Sequence, residues 1–351
     1  MRFIYITNTS HINTDPSVRY RCFNFASSIV NNPEHLVDVI PFNFLNLDYL
    51  KYYDVFIFHR PSFNSKFNTF MEKVKKLNKY IMADYDDLIF NPEYAKDTSI
   101  FKNNVSSLKQ VSYILSSNKK AFDYFNNFIV STGPLKEHIK QLKPNSRVLI
   151  LHNSLSEFWN NLYPPSSRKD IFNKSKRVIG YFSGTNSHRF DFKIVEKSLE
   201  NILKKNSNIS LRIVGHLKID NPFLREKVER VDFVPFYEMG SLIKSCDLAI
   251  APLENSVFNN SKSCIKFLEA LSVGVPCVAS PIHDMCRNTE KGCLVVKDDN
   301  WEEFILQALF DKNLRINLIN KFNYNREAFS ASLEIKKLFH FLEKVYIKGI
   351  F

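Results

Sequence analysis

Twice along the chain, six short apolar runs alternate with segments of helical spacing, and this repetition limits the possible folds more than any other feature. In the first half the runs fall at residues 2–7, 37–42, 55–58, 80–83, 128–131 and 148–151. They are apolar nearly throughout, as strands are when helices cover both faces of a parallel sheet. Helical patterns at 18–30, 66–78, 119–126 and 134–142 complete the strand–helix alternation of a doubly wound sheet. Residues 153–176, with Pro164, Pro165 and a Ser-Ser pair, break the rhythm and read as a linker. The alternation restarts with runs at 178–182, 210–214, 231–235, 248–252, 276–280 and 293–296, separated by helical patterns at 190–205, 237–246, 262–273 and 301–310.

The predicted class is therefore α/β with two doubly wound domains, and the length of 351 residues and hydrophobic fraction of 44% suffice for two cores. The boundaries expected are 1–153 for the first domain, 154–176 for the linker, 177–325 for the second domain and 326–351 for a closing helix. In that tail Leu333, Leu338, Phe341, Leu342 and Val345 recur at helical spacing. Ligands of such sheets gather at the carboxyl ends of the strands, which puts the active site in a cleft between the halves.

Glycine distinguishes the halves. Of eight, only Gly133 precedes residue 180, whereas six lie between Gly180 and Gly292, so the second half is expected to handle phosphate. Lys and Arg total 48 against 36 Asp and Glu, a net charge of +12 suited to phosphorylated or acidic substrates and to anionic lipid. The basic residues are scattered without an RNA-binding signature, and nucleic acid is not an expected partner. Six cysteines lack zinc-type spacing and read as reduced thiols. No apolar run reaches the roughly 18–20 residues of a membrane span, and residues 1–9 lack a cleavage-type site. A cytoplasmic protein is expected, with its basic surplus favouring loose attachment to the anionic inner face of a membrane.

The strongest local signal is the stretch from Ser261 to Ser280, a helix ending at Gly274 that runs into a buried strand. At 100° per residue Lys262, Lys266 and Glu269 share a narrow arc, while Ile265, Leu268 and Leu271 point elsewhere. Two cations and a carboxylate on one face suit a diphosphate and sugar hydroxyls, and a solvated polar stripe fits the spacing equally well. A second signal, 179–192, combines a strand, the Gly184-Thr185 turn and a helix start carrying His188 and Arg189. Backbone amides at such a turn approach phosphate oxygens closely. In the first half, Asp84-Tyr-Asp86-Asp87 follows the fourth strand. Its carboxylates either orient a hydroxyl and take its proton or cap the next segment. His59-Arg60 after the third strand and His152-Asn153 at the linker are further candidates, for which a structural role is the alternative.

The Ser261–Ser280 stretch resembles the donor-binding signature of retaining GT-B glycosyltransferases, the glycosyl transferases group 1 type. In that family a helix glutamate leads through Glu-Ala-x-x-x-Gly-x-Pro-x-x-Ala into a strand, and Glu269 to Ala279 match it. The resemblance implies a GT-B architecture of two Rossmann-like domains and a nucleotide-diphosphate sugar as co-substrate, with no cofactor and no metal. It assigns Glu269 to the donor ribose and places Gly184, Thr185, His188, Lys266, Phe236 and Pro281 around the donor. The family's first glutamate falls where this chain has Ser261, leaving Asn259, Asn260 or Lys262 to contact the sugar. Arg189 and Lys262 would offset charge on the departing diphosphate, with Asp86 and Asp87 as the carboxylates of the catalytic group. Arg19-Tyr-Arg21 resembles the opening of the first helix in bacterial surface-polysaccharide transferases, so Arg19, Arg21, His59 and Arg60 are acceptor-side candidates.

The resemblance thus implies sugar transfer, with retention, to a glycan or lipid-linked glycan of a bacterial cell surface. A nucleotide-sugar epimerase or phosphorylase of the same fold, and a basic glycan- or lipid-binding scaffold, are the alternatives. The Asp-rich loop also suits the metal-dependent transferases of the other major fold, against which the two-domain alternation argues.

Overall fold

The computed structural model describes residues 1–77, 79–165, 175–184 and 186–347. Thr185, residues 166–174 of the expected linker, the end of the expected helix 66–78 and residues 348–351 lie outside that set.

All twelve apolar runs contribute a strand. The first sheet holds β1 (Arg2–Thr7), β2 (Leu36–Pro41), β3 (Val55–His59), β4 (Tyr80–Tyr85), β5 (Asn127–Val130) and β6 (Arg147–Ile150) in the parallel order β2-β1-β3-β4-β5-β6. The second holds β7 (Arg177–Ser183), β8 (Ile209–Gly215), β9 (Glu229–Val231), β10 (Leu248–Ala251), β11 (Cys277–Ala279) and β12 (Leu294–Val295), parallel in the order β12-β11-β10-β7-β8-β9. Each sheet winds in both directions from its first strand. The winding reverses between β1 and β3 in one sheet and between β7 and β10 in the other, and a crevice opens at the carboxyl ends of those strands. The chain has the α/β GT-B fold, with a cleft between the two crevice-bearing edges.

Four elements depart from their expected limits. β9 stops at Val231, and residues 232–235 leave the sheet because β9 is its edge and Pro235 has no N–H for a ladder. The first helix is broken into Pro16–Val18, a π-helical turn Arg19–Phe23 and Asn24–Ile29. The helix expected over 119–126 runs from Leu108 to Phe122, behind a Ser107/Gln110 capping box. The donor-signature helix spans Ile265–Ser272, so Lys262 precedes it in a turn, and Gly274 closes it at φ +77°. An additional helix, Lys312–Tyr324, is capped by Asp311.

The final helix, Ala331–Ile347, returns to the first sheet, where Ala331, Ile335, Leu338 and Leu342 pack with Phe3, Tyr5, Val55, Ile57 and Met82. The outgoing and returning connections meet side by side. Leu155 N–H donates to Phe329 O at 2.8 Å and Ala331 N–H to Leu155 O at 3.0 Å, forming an isolated parallel bridge between Leu155 and Ser330.

Arg21 fixes the π-helical turn beneath the cleft. Its guanidinium is fully buried, 2.9 Å from Asp84 Oδ1, and Nη1 donates to Leu151 O at 2.6 Å and to Asn153 Oδ1 at 3.0 Å. Asn153 in turn donates to Ser263 Oγ at 2.8 Å, which carries the chain of bonds to the second half. Removing one partner of a buried pair strands the other charge. Arg21→Met is therefore predicted to lower unfolding free energy by about 3–5 kcal/mol in a urea titration.

Candidate active site

The second-half wall is built on the crevice between β7 and β10. After β7 the chain passes Gly184, a 3₁₀ turn at Asn186–His188 and the helix Arg189–Lys205. Gly184 lines the cleft, and a Cβ there would meet no atom within 4 Å, so this edge of the wall is open to a ligand. His188 Nδ1 lies 2.9 Å from Asp191 Oδ2, while Asp191 Oδ1 accepts from Glu254 N–H at 3.0 Å and from Asn259 Nδ2 at 2.8 Å. Asp191 thereby stitches the loop after β7 to the loop after β10. Burial lowers the His188 pKa to about 4, so the ring is neutral near pH 7; facing a carboxylate, it carries its proton on Nδ1.

Lys262, Lys266 and Glu269 all line the same cavity, but Lys262 does so from the turn before the helix, and Ile265, expected to point elsewhere, lines it too. Lys266 Nζ sits 4.5 Å from the centre of the Tyr181 ring and is shut off from solvent, with no hydrogen-bond partner among the described residues. Its pKa is lowered to about 8, chiefly by burial and also by Lys262. Asp191 and Glu269 favour its charged form without overcoming burial, and a buried ammonium in this state lacks a directly bonded anion. Burial raises the pKa of Glu269, whose Oε1 accepts a 2.5 Å bond from Tyr20 Oη across the cleft.

Ser261 does not face the cleft. It is buried, its Oγ donates to Val257 O at 3.1 Å, and its carbonyl accepts from Thr132 Oγ1 at 2.8 Å. Among the three residues expected to replace the missing glutamate, Asn259 is committed to Asp191 and Asn260 Oδ1 accepts from His283 N–H. Lys262 alone of the three lines the cavity.

On the first-half wall Arg60 follows β3 in the left-handed region at φ +50°, a conformation that costs a non-glycine residue energy, and its side chain reaches the loop after β4. Nε donates to Asp86 Oδ1 at 2.6 Å and Nη2 to Asp87 Oδ2 at 2.8 Å. Asp86 Oδ2 also accepts from Ser17 Oγ at 2.5 Å, and His59 Nε2 lies 2.8 Å from that hydroxyl. Burial would raise the pKa of Asp86, but Arg60 and His59 overcome it and hold the carboxyl well below its ordinary range. At Asp87 burial prevails over Arg60, and the pKa is raised. Neighbouring carboxylates thus acquire different proton affinities.

The structure brings Asp86, Asp87, Arg60, Arg19, Gly184, His188, Phe236, Lys262, Lys266 and Glu269 to one cavity of about 1080 Å³. Four expected residues stand elsewhere. Arg21 is bound to Asp84 beneath the floor, and His59 is buried behind Ser17 and Asp86. Arg189 turns to Asp220, with Nε 2.8 Å from Oδ1, and Pro281 is exposed outside the cavity while Met285 lines it. Tyr20 meets Glu269 across 249 positions, a pairing no local pattern announces. The Arg19 guanidinium lies 3.8 Å over the Phe236 ring, a second contact across the cleft.

Residues 176–310 match the family described as Glycosyl transferases group 1. No curated protein matches the chain. Solved structures match over nearly the whole length. Sucrose-phosphate synthase from Thermosynechococcus elongatus is 12% identical with a TM-score of 0.64, the match covering 97% of this chain and 99% of that one. Anabaena Alr3699/HepE in complex with UDP-glucose is 13% identical with a TM-score of 0.63, covering 98% and 100%. WaaG, a glycosyltransferase involved in lipopolysaccharide biosynthesis, is 12% identical with a TM-score of 0.63, covering 96% and 98%. The match to the glycosyl transferases group 1 family thus falls on the second half of a GT-B framework.

Proposed function

We propose that this chain transfers a sugar from a nucleoside-diphosphate donor to a hydroxyl of a bacterial cell-surface glycan or lipid-linked glycan, with retention and without a metal ion. The observation that carries the reading is Lys266, a cation desolvated at the cleft wall whose ammonium has no hydrogen-bonded anion among the described residues, Asp191 and Glu269 acting on it only from a distance. A diphosphate supplies that anion. The UDP-glucose bound by the Anabaena protein of the same fold supports this class of donor.

Lys266 and Lys262 hold the diphosphate and stabilise the charge it gains as the bond from the anomeric carbon to its oxygen breaks. Gly184 leaves room for it, and Glu269 binds the ribose. Neutral His188 contributes hydrogen bonding at this wall. Across the cleft Arg60 fixes the acceptor-side carboxylates. Asp86, ionised and held by three neighbours, positions the acceptor hydroxyl. Asp87, with the higher proton affinity, receives the proton that the hydroxyl gives up as its oxygen bonds to the anomeric carbon on the face the diphosphate leaves, as retention requires. Among the described residues no group of three His, Cys, Asp or Glu side chains is arranged to hold a metal ion, and Asp84, Asp86 and Asp87 are all paired with arginine. Lysines supply the charge that a metal would.

The lipopolysaccharide role of WaaG and the net charge of +12 support a surface-glycan acceptor reached at the anionic inner face of the cytoplasmic membrane. No helix among the described residues is long and apolar enough to cross a membrane.

Thermal shift with UDP, GDP, CDP and dTDP tests the donor assignment. One of them should stabilise the wild type by about 2.7 kcal/mol at 100 times its Kd. Glu269→Ala should lose that stabilisation while folding normally; unchanged nucleotide binding would remove Glu269 from the donor site. A wild type that no nucleotide stabilises would favour a binding scaffold, and epimerised sugar formed without acceptor would favour an epimerase. On the acceptor side, Asp87→Asn should keep the nucleotide response yet slow sugar incorporation into a membrane-lipid acceptor fraction by about 100-fold. Weaker nucleotide affinity in that variant would place Asp87 on the donor side.

A further inference from the structure

Outside the catalytic walls, residues 99–103 of the first half reach over the crevice between β7 and β10. Ser99 and Ile100 line the cavity. Lys102 Nζ forms a 2.9 Å ion pair with Glu254, in the loop after β10. Asn103 bonds the turn after β7 twice, its Nδ2 donating to Ser187 O at 2.7 Å and its Oδ1 accepting from Arg189 N–H at 3.0 Å. A third bond, Nδ2 to Ser99 O at 2.8 Å, ties the amide to its own segment. The strap therefore grips both loops that Asp191 joins from below.

The Asn103 contact fills a vacancy in local structure. The helix Arg189–Lys205 begins without a side-chain cap from its own N-cap residue, His188. The first N–H groups of a helix have no partner within it and need one from outside. Asn103 provides that partner at Arg189, and it comes from the other half of the chain. Its second bond secures the carbonyl immediately before His188, so one amide brackets the histidine that lines the cavity.

We infer that Asn103 is a positioning residue that caps the donor-side helix in trans, so that the turn bearing His188 takes its working shape only when the two halves are docked. Closure of the cleft and construction of the diphosphate wall become one event. Lys102–Glu254 reinforces the contact; both side chains are partly exposed, and their pair is the weaker share. The inference rests on the transferase reading for its ligand, but the latch itself is testable without one.

The experiment compares full-length wild type with Asn103→Ala by small-angle X-ray scattering without ligand and by donor hydrolysis. The two lost bonds should lower the population of the closed form, and with it kcat/KM for the nucleotide sugar, by about tenfold. The radius of gyration should rise, and the helical circular dichroism should stay that of a folded chain. Lys102→Glu should open the cleft less, and Lys102→Glu combined with Glu254→Lys should restore compactness, which a loss of folding would not do. Asn103→Ala as compact as the wild type, or opened without loss of donor kcat/KM, overturns the inference. If neither UDP, GDP, CDP nor dTDP stabilises the wild type, the transferase reading falls and the scattering comparison still decides the role of Asn103.

Discussion

Parallel sheets that wind both ways from their first strand leave one place uncovered, the crevice at the carboxyl ends where the winding reverses. This chain contains two such sheets, and its functional architecture follows from turning the two crevices toward each other. The loops after β1, β3 and β4 supply one wall and those after β7, β9 and β10 the other. The paired connections at Leu155 and Ser330 and the bonds running from Asp84 through Arg21 and Asn153 to Ser263 hold the floor. Tyr20–Glu269 and the strap at 99–103 join the walls above it.

The walls differ in electrostatic condition. On the first-half side every one of these carboxylates is paired, since Arg60 answers Asp86 and Asp87 and Arg21 answers Asp84. On the second-half side burial of Lys266 outweighs the pull of Asp191 and Glu269, its ammonium has no hydrogen-bond partner among the described residues, and Lys262 stands beside it. An anion bound between the walls repairs that imbalance, and a neutral acceptor meets carboxylates already fixed in place. The ordering of roles proposed for the two halves comes from this asymmetry.

The sequence disclosed what burial dictates and concealed what distant contacts decide. Every strand was legible because strands covered on both faces must be apolar, and the donor-signature helix was legible because a helical period sorts Lys266 and Glu269 onto one face, whereas Lys262 reaches the cavity from the turn before it. Helix starts were less so: the helix Leu108–Phe122 begins at the Ser107/Gln110 capping box, well before the apolar periodicity that marks its second half. Arg21 and Arg189 carried the same charge as Arg60 and Lys262. Only the fold reveals that Asp84 and Asp220 claim the first two. The left-handed backbone at Arg60 and the trans cap from Asn103 leave no trace in composition or spacing, because each depends on a neighbour brought near by the tertiary fold.

The buried ammonium of Lys266, without a hydrogen-bonded anion among the described residues, is the most direct point of test. With a pKa of about 8 in the empty cleft, Lys266 is about half protonated at pH 8, and a bound diphosphate should complete its protonation. Calorimetric titration with the nucleotide that binds, repeated at pH 8 in buffers of different ionisation enthalpy, counts the protons taken up. The wild type should gain about half a proton per nucleotide and Lys266→Met essentially none. Saturable nucleotide binding with the same proton uptake in both proteins would contradict the central place given to Lys266.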